Sequence, residues 1–202
     1  MEELSTREKL LKAGKEEFLL RGYKDASLRE IGKKAGFTLG AFYGYYAGKE
    51  ALFLDIVEEA AEELYERYLK VQTDFMNLPA EVQKQELNHV SDAGLHEMIE
   101  LIYKDFDVFK LVFFRSAGTK YETYMQRLID IEIESTHRFI DTLKSIGHSV
   151  EIDEDLIHIL ASAMFSGMME VVDHDMDREK AISYISNFRE FYEAGWNTLL
   201  GL

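Results

Sequence analysis

Hydrophobic residues recur every three or four positions along most of the chain, which is the period expected of amphipathic α-helices. In the first helical segment the residues at this spacing are Leu10, Leu11, Gly14 and Phe18. Ser5 and Glu8 precede it as a capping box, in which each side chain pairs with the backbone N–H of the other residue. Gly22 is expected to end this helix, because glycine adopts the left-handed conformation without strain.

A second and a third helix follow at short intervals. Ser27–Glu30 again has capping-box form and opens a short helix that Gly36 closes. Thr38 caps a very short helix over residues 39–45, and a long helix is predicted over about residues 49–74. Two short helices joined by a glycine-bearing turn, packed on a first helix, form a helix-turn-helix unit. The second helix of such a unit can enter the major groove of DNA.

The remaining pattern is helical as well. Pro79 marks a break after the long helix, and NHVSDAG, at residues 88–94, is a candidate interruption of the next one. Further helices are predicted at about residues 80–104, 121–146, 154–172 and 178–200, with a short phenylalanine-rich segment before residue 121. The pattern predicts an all-α chain of about nine helices. We expect a helix-turn-helix domain at residues 1–50 and a larger helical domain at residues 51–202.

Composition narrows the class of protein. None of the 202 residues is cysteine, which excludes a disulfide framework, a thiolate nucleophile and a cysteine-ligated metal site. Hydrophobic residues make up 47% and proline occurs once, which favours helix. The N-terminal run EELSTREKL lacks the apolar core of a signal peptide, and no run approaches the roughly 18 apolar residues of a membrane span. We therefore expect a cytoplasmic protein with no membrane partner.

Charge is distributed unevenly along the chain. The formal net charge is -15, which taken alone argues against a nucleic-acid partner. Residues 1–50 hold ten basic and eight acidic side chains, whereas the remainder holds 13 and 30. Because phosphate repels an acidic surface, any contact with DNA should be confined to the first 50 residues.

The segment between Thr38 and Lys49 carries no charge and is rich in glycine and tyrosine. Phe42 and Tyr46, four residues apart, share a face and are expected to hold the short helix on its neighbours. The other face carries Leu39, Gly40, Ala41, Tyr43 and Gly44. Glycine lets a backbone approach a partner closely, and tyrosine hydroxyls can donate to phosphate oxygens. A well-packed turn without a partner is the alternative that these residues leave open.

Three segments in this region form a recognisable set. REKLLKAGKEEFLLRGY, ASLREIGKKAGFTLGAFYGYY and GKEALF lie at fixed spacing between Arg7 and Phe53. Together they resemble the DNA-binding head of the TetR family of bacterial transcriptional regulators. The resemblance covers roughly a quarter of the chain. It implies phosphate contacts by Thr38, Tyr43, Tyr45 and Lys49, and the full DNA-binding set expected from it is Ser27, Arg29, Thr38, Leu39, Gly40, Ala41, Tyr43, Gly44, Tyr45 and Lys49.

Three positions depart from the pattern of that family, and one of them is Tyr46, which replaces a usual phenylalanine. Gly14 stands where alanine is usual, which costs about 1 kcal/mol of helix propensity. Gly44 has no side chain with which to read bases, so few hydrogen-bonding groups face them. Leu39 and Ala41 could contact thymine methyls, and Arg29 could pair with guanine. We therefore expect much of the discrimination to come from DNA shape and phosphate geometry.

The resemblance also implies a homodimer, which would bind a palindromic or near-palindromic operator. Small residues at helical spacing in the eighth predicted helix and aromatic residues in the last supply a candidate four-helix interface. Its members are Ala163, Gly167, Phe188, Tyr192 and Trp196. Ordinary packing within one subunit would use the same residues equally well.

A pocket for a small-molecule effector is a further feature that the resemblance implies. Aromatic residues and methionines are suited to line such a pocket. The candidates are Tyr103, Phe106, Phe109, Phe113, Tyr121, Tyr124, Met125, His137, Met164, Phe165 and Met168. Core packing is the alternative role for each of them, and no effector can be identified from the sequence.

No pattern of catalytic or metal-binding residues was found. EVVDHDMD, at residues 170–177, places His174 between two aspartates, but consecutive side chains point apart on a helix and a solvated helix end is favoured. Nucleophile-elbow, phosphate-loop, zinc-protease and dinucleotide-binding motifs do not occur. The sequence thus predicts no enzyme, no cofactor and no metal.

The sequence therefore predicts a dimeric repressor that is released from its operator by a small molecule. One alternative is a helical ligand-binding or enzymatic protein whose helix-turn-helix head is unused. The other is a DNA-binding regulator controlled by a protein partner.

Overall fold

The computed structural model describes residues 4–202, and this part of the chain forms nine α-helices without a strand. The helices are α1 (Thr6–Asp25), α2 (Leu28–Ala35), α3 (Leu39–Phe42), α4 (Lys49–Met76), α5 (Ala80–Lys104), α6 (Phe106–Phe114), α7 (Tyr124–Ser145), α8 (Glu154–Asp173) and α9 (Arg178–Leu200). The predicted all-α class is confirmed, with the bounds of α5 and α9 as expected. NHVSDAG lies inside α5 and does not interrupt it.

The ends of α1 follow the sequence signals. The Ser5 N–H donates to Glu8 Oε2 at 2.7 Å, and the Glu8 N–H donates to Ser5 Oγ at 3.3 Å, which completes the capping box. Gly22 breaks the regular helix with φ 75° and ψ 161°, as expected. One further turn then continues to Asp25, so the helical segment ends three residues later than predicted.

The described chain divides into two compact units. The first comprises residues 4–63 with Asp105–Tyr124, and the second comprises Leu64–Lys104 with Met125–Leu202. The predicted functional boundary after residue 50 stays a prediction, because compactness does not separate DNA-binding residues from regulatory ones.

The core of the first unit is built on aromatic rings. Phe18 and Tyr23 of α1 each pack edge-on against Phe53 of α4, with ring centroids 5.2 Å apart. Gly14 lies where α1 approaches α4, since a Cβ added there would stand 2.7 Å from Leu52 Cδ2. This close approach explains the glycine at a position where the family pattern has alanine.

The second unit has its own apolar core. It consists of Phe75, Phe139, Ile140, Leu143, Val150, Ile157 and Leu200. Between α4 and α5, Gln83 Nε2 donates to the carbonyl oxygens of Met76 (3.1 Å) and Leu78 (2.8 Å). These hydrogen bonds satisfy backbone carbonyl groups that have no partner within α4, because the helix ends just before Pro79.

Helix α8 corrects one expectation from the sequence. By length and composition alone its 20 residues could cross a membrane, although no such run was expected. Seven of its residues are buried in the second unit, including Phe165 and Met168. Because a helix in the core of a domain can be as apolar as a membrane span, this test does not separate the two.

Candidate nucleic-acid interface and ligand cavity

The turn between α2 and α3 is tight. Gly36 adopts the left-handed conformation at φ 79° and ends α2, as predicted. A Cβ on Gly32 would lie 2.9 Å from the carbonyl oxygen of Phe37, so the chain passes too close to α2 for a side chain there. Together these glycines set the path by which α3 leaves α2.

The predicted second capping box is only half formed. Ser27 Oγ accepts from the Glu30 N–H at 3.5 Å, as expected. The Ser27 N–H, however, donates to Glu17 Oε1 of α1 at 3.4 Å. A carboxylate distant in sequence thus takes the role predicted for the Glu30 side chain, because folding brings α1 against the start of α2.

Glu17 joins α1 to α2 through a buried ion pair. Glu17 is 3% exposed, and the Lys34 ammonium nitrogen Nζ lies 2.9 Å from Glu17 Oε2. Burial raises the pKa of Glu17. The hydrogen bonds from Lys34 and Ser27 and the charges of Lys34 and Arg21 together lower it by more, so the net shift of the pKa is downward. Glu17 is therefore ionised at neutral pH and holds the helix-turn-helix unit on α1.

Helix α3 is shorter than predicted. Thr38 Oγ1 accepts from the Ala41 N–H at 3.2 Å and caps it as expected, but the helix ends at Phe42 instead of Tyr45. The Tyr45 N–H bonds to the carbonyl of Phe42, three residues back, at 2.9 Å, which tightens the last turn around Gly44.

Two anchors hold this short helix, as predicted. Phe42 is fully buried, Tyr46 is 6% exposed, and their ring centroids lie 5.7 Å apart. The Tyr46 hydroxyl donates to Asp55 Oδ2 of α4 at 2.6 Å, and Arg7 of α1 donates to Asp55 Oδ1 at 2.5 Å. Burial, followed by the bond to Asp55, raises the pKa of Tyr46 to about 12. The α3 turn is thus tied to both α1 and α4.

The predicted DNA-binding residues around α3 are mostly exposed. Tyr43 and Tyr45 are each 54% exposed, although both are large aromatic residues. Ser27 and Leu39 are partly buried. The other exposed members are Arg29, Thr38, Gly40, Ala41 and Gly44. Residues 38–45 thus present an uncharged, largely exposed surface, of which only Phe42 is buried.

Lys49 is placed differently from its neighbours. Its ammonium donates to the carbonyl oxygens of Lys24 (2.9 Å) and Ala26 (3.2 Å) and lies 4.7 Å from the centroid of the Tyr23 ring. These contacts give Lys49 a role that the sequence did not indicate, since they join the start of α4 to the end of α1. A phosphate contact by Lys49 stays a prediction.

The second unit encloses a cavity of about 190 Å³ between α4, α5, α7, α8 and α9. Its lining is largely apolar and includes the rings of Tyr68, Phe75, Phe139, Phe165, Phe188, Tyr192 and Trp196. Polar lining groups include Gln72, Glu132 and Arg189. The cavity is suited to a molecule with an apolar body and a few polar groups.

Three of the predicted ligand-binding residues, Met164, Phe165 and Met168, line this cavity. The other eight are not among its lining residues: Tyr103, Phe106, Phe109, Phe113, Tyr121, Tyr124, Met125 and His137. Helix α6 belongs to the first unit, where Phe113 packs 5.9 Å from Phe109 and 5.8 Å from Tyr124 between ring centroids. Phe109 is buried there and Phe106 and Phe113 are partly buried, so their assignment to a ligand pocket stays a prediction.

Several cavity residues were missed or were assigned elsewhere from the sequence. Tyr68, Gln72 and Glu132 lie on α4 and α7 without a local motif to mark them. The cavity is also lined by three residues that the sequence assigned to a dimer interface, namely Phe188, Tyr192 and Trp196, and that assignment stays a prediction. Only the three-dimensional arrangement brings these helices together.

Packing within one chain also accounts for Gly167. A Cβ at this position would lie 2.5 Å from Phe188 Cζ, so glycine lets the ring of Phe188 lie against α8. Ala163 is exposed one turn earlier, beside Ile159, and Phe191 of α9 is 75% exposed. The predicted dimer contact through Ala163 stays a prediction.

No group of three or more His, Cys, Asp or Glu side chains suited to a metal occurs among residues 4–202. His174, considered above for its aspartate neighbours, pairs with Glu170 at 2.8 Å on the exposed end of α8. This pair spans one helical turn at the surface.

Comparisons with known proteins fit this geometry. A family model described as bacterial regulatory proteins, tetR family, matches residues 10–56, which span α1 to the start of α4. The chain is 31% identical over 117 residues to the HTH-type transcriptional regulator YdgC of Bacillus subtilis (strain 168). That match covers 58% of this chain and 57% of the relative, so it spans little more than half the length of that protein.

Two longer similarities extend over most of the chain. The chain is 28% identical over 195 residues to the HTH-type transcriptional regulator AcrR of Shigella flexneri, which covers 93% of this chain and 89% of that protein. A crystal structure of a TetR-family member from Streptomyces coelicolor A3 matches with a TM-score of 0.61 at 17% identity, over 100% of this chain and 94% of that one. The structural match concerns the fold alone. The matched residues are those that build the helix-turn-helix unit, so this part of the chain is a DNA-binding domain of the tetR family of bacterial regulatory proteins, and over most of its length the chain is similar to a transcriptional regulator.

Proposed function

We propose that this regulator is a repressor that binds a near-palindromic operator as a homodimer in the cytoplasm and leaves it when a small molecule binds. The observation that carries the proposal is the uncharged, exposed surface over residues 38–45, which is held from behind by buried Phe42 and Tyr46. A helix of four residues is not stable alone, so these anchors have to orient it for a partner.

The chemistry of this surface is suited to DNA. The Tyr43 and Tyr45 hydroxyls can donate to phosphate oxygens, and Gly40 and Gly44 let the backbone come close. Arg29, exposed near the start of α2, can reach a guanine. With few other groups to read bases, DNA shape should contribute much of the specificity.

The charge distribution supports a DNA contact confined to the first helices. Residues 1–50 hold ten basic and eight acidic side chains, whereas residues 51–202 hold 13 and 30. An acidic remainder is repelled by the duplex, which keeps the rest of the protein away from it. Neutralised phosphates release counterions, so affinity should fall steeply as the salt concentration rises.

Helix α4 supplies the proposed route from ligand to DNA. It carries Asp55, which holds the α3 turn through Tyr46, and also Tyr68 and Gln72, which line the cavity. A ligand that binds one position of α4 better than another would change the spacing of the two reading heads in a dimer. Couplings of this kind amount to about 1–3 kcal/mol, or roughly 5- to 150-fold in affinity.

Selection from a random duplex pool at physiological salt, with purified protein and no added ligand, tests the proposal. Enrichment of a two-fold symmetric motif would support a dimeric DNA reader. Arg29→Ala should weaken binding and relax one base position. Arg138→Ala removes the same charge from the exposed surface of α7 and should leave the motif unchanged.

A folded dimer that enriches no motif would contradict the proposal. Turnover or sequestration of a metabolite by that protein would instead favour a helical ligand-binding or enzymatic protein with an unused head. If the operator is found but no small molecule alters its binding, control by a protein partner would replace the ligand-release part.

A further inference from the structure

Glu132 places a carboxylate in the wall of the largely apolar cavity. Its Oε2 accepts from the Tyr68 hydroxyl and from Gln72 Nε2, the latter at 2.9 Å, so both donors come from α4. No Lys, Arg or His of residues 4–202 forms an ion pair with Glu132. Carboxylates that are removed from water normally have a cationic partner, because two neutral donors do not balance the charge.

The environment of Glu132 shows the cost of this arrangement. Burial raises the pKa of Glu132, while the bonds from Tyr68 and Gln72 lower it by less, so the net shift is upward. The pKa of the Tyr68 phenol is raised well above its usual value, first by burial and then by the neighbouring Glu132 carboxylate. A bound cation would remove the electrostatic penalty on Glu132.

The positive charge in the cavity wall is already matched. Arg189 Nε lies 3.1 Å from Asp92 Oδ1, and Arg189 Nη1 lies 2.6 Å from Glu193 Oε2. Two carboxylates thus surround this single guanidinium. An anionic ligand would meet no unmatched cation here, whereas a cationic ligand would meet the carboxylate of Glu132.

The rings around the cavity favour the same charge. Tyr68 and Phe165 pack edge to face with centroids 5.7 Å apart, and Phe188 and Tyr192 lie 4.7 Å apart. Aromatic faces attract cations as well as apolar groups. The volume of about 190 Å³ lies below the range of roughly 300–1,000 Å³ for drug-sized ligands. The ligand should therefore be compact.

We infer that this cavity binds a compact lipophilic cation, such as a protonated arylalkylamine, with the Glu132 carboxylate as its counterion. The inference rests on the proposed function, since it names the class of effector for the cavity. It also supplies a coupling step, because the carboxylate that would pair with the cation also accepts the hydrogen bonds from Tyr68 and Gln72 of α4. Binding would loosen that hold on α4.

The test uses three soluble probes with the same phenylbutyl body: phenylbutylamine as cation, phenylbutanol as neutral molecule and phenylbutyrate as anion. Trp196 is the only tryptophan of the sequence and lines the cavity, so its fluorescence reports binding directly. Wild-type protein should bind the amine about tenfold or more tightly than the alcohol, and the carboxylate most weakly. This series needs no substitution.

Glu132→Gln then removes the charge and keeps the shape of the side chain. It should weaken amine binding by about 10- to 100-fold and change alcohol binding by less than about threefold. Glu134→Gln is the matched control, because Glu134 lies on the same helix but is exposed and paired with Arg138. Amine binding by this control should equal that of the wild type.

Several outcomes would overturn the inference: equal affinity for amine and alcohol, preference for the carboxylate, unchanged amine binding in Glu132→Gln, or no response of Trp196 to any probe. Binding to the selected operator is measured separately. If the protein binds its operator but does not bind the amine, the inference about the ligand is wrong and the proposed DNA-binding function is unaffected. An amine that binds through Glu132 without altering operator affinity supports the ligand class and contradicts release by this ligand.

Discussion

Removal of the hydrogen bond between Tyr46 and Asp55 should weaken the anchoring of α3. The Tyr46 hydroxyl lies 2.6 Å from Asp55 Oδ2, and the residue is 6% exposed. A hydrogen bond to a charged group contributes about 1.5–3 kcal/mol. Since Tyr46→Phe removes only the donor and leaves Arg7 on Asp55, we expect a loss of about 1–2 kcal/mol in the free energy of unfolding.

Asp55→Ala should cost more, because it leaves the Tyr46 hydroxyl buried without its acceptor. An unsatisfied buried polar group costs about 1–3 kcal/mol. The lost pair with Arg7 adds little, since 59% of that side chain is exposed and surface ion pairs contribute about 0–1 kcal/mol. The expected total is about 2–3 kcal/mol.

A double-mutant cycle measured by urea denaturation isolates the bond. The double variant should be less destabilised than the sum of the single variants, with a coupling of about 1–2 kcal/mol. Glu58→Ala on the same helix serves as control, because its pair with Lys120 is exposed at both ends, and it should change stability by less than about 0.5 kcal/mol. Operator affinity should fall for the Tyr46 and Asp55 variants and stay unchanged for the control.

Single effects that add within about 0.5 kcal/mol would refute the reasoning, since independent sites behave in this way. Unchanged operator affinity in a destabilised Asp55→Ala protein would show that the bond stabilises the fold without orienting α3.

Three further predictions concern other contacts. Folding raises the pKa of Tyr46 to about 12 from about 10, so the contribution of Tyr46 to the free energy of unfolding should be complete below pH 10 and lost as pH rises toward 12. Over this pH window, Tyr46→Phe should lose less stability than the wild type in alkaline unfolding. Glu17 has a lowered pKa in the folded protein, so its contribution to stability should be present above its unfolded pKa and lost as pH falls through the lower folded value. Glu17→Gln should cost about 1–3 kcal/mol of the free energy of unfolding at neutral pH and should make that free energy depend less on pH in the acid range. Gly167→Ala should destabilise by about 1 kcal/mol in thermal unfolding, because overpacking against Phe188 exceeds the gain in helix propensity, whereas Gly195→Ala, with nothing near its added Cβ, should stabilise by a similar amount. A stabilising Gly167→Ala would contradict the close packing.

Local signals were sufficient to predict where several of the helices begin. Ser5 and Thr38 cap helices as their side chains indicate, and Gly36 ends α2 in the left-handed conformation. Each depends on residues within one turn of the chain, so the sequence carries the information directly. The helix-turn-helix unit and its family could be predicted for the same reason, since its residues lie in one continuous segment.

Partners distant in the sequence could be found only in the folded protein. Glu17 displaces Glu30 at the start of α2, and Lys49 turns toward the end of α1, because α1 packs on both elements. Phe106, Phe109 and Phe113 were expected in a ligand pocket, but their helix α6 belongs to the first unit and they do not line the cavity of the second. A hydrophobic side chain has the same sequence pattern in a core as in a cavity wall.

The sequence by itself determined the helical class, the helix-turn-helix unit, the uncharged surface over residues 38–45 and the uneven charge. These depend on periodicity, on capping within a few residues and on composition. Only the tertiary structure decided which aromatic side chains enclose the cavity and that Glu132 faces it with donors from α4. Such contacts join residues about 60 positions apart in the chain, and the packing of whole helices brings them together.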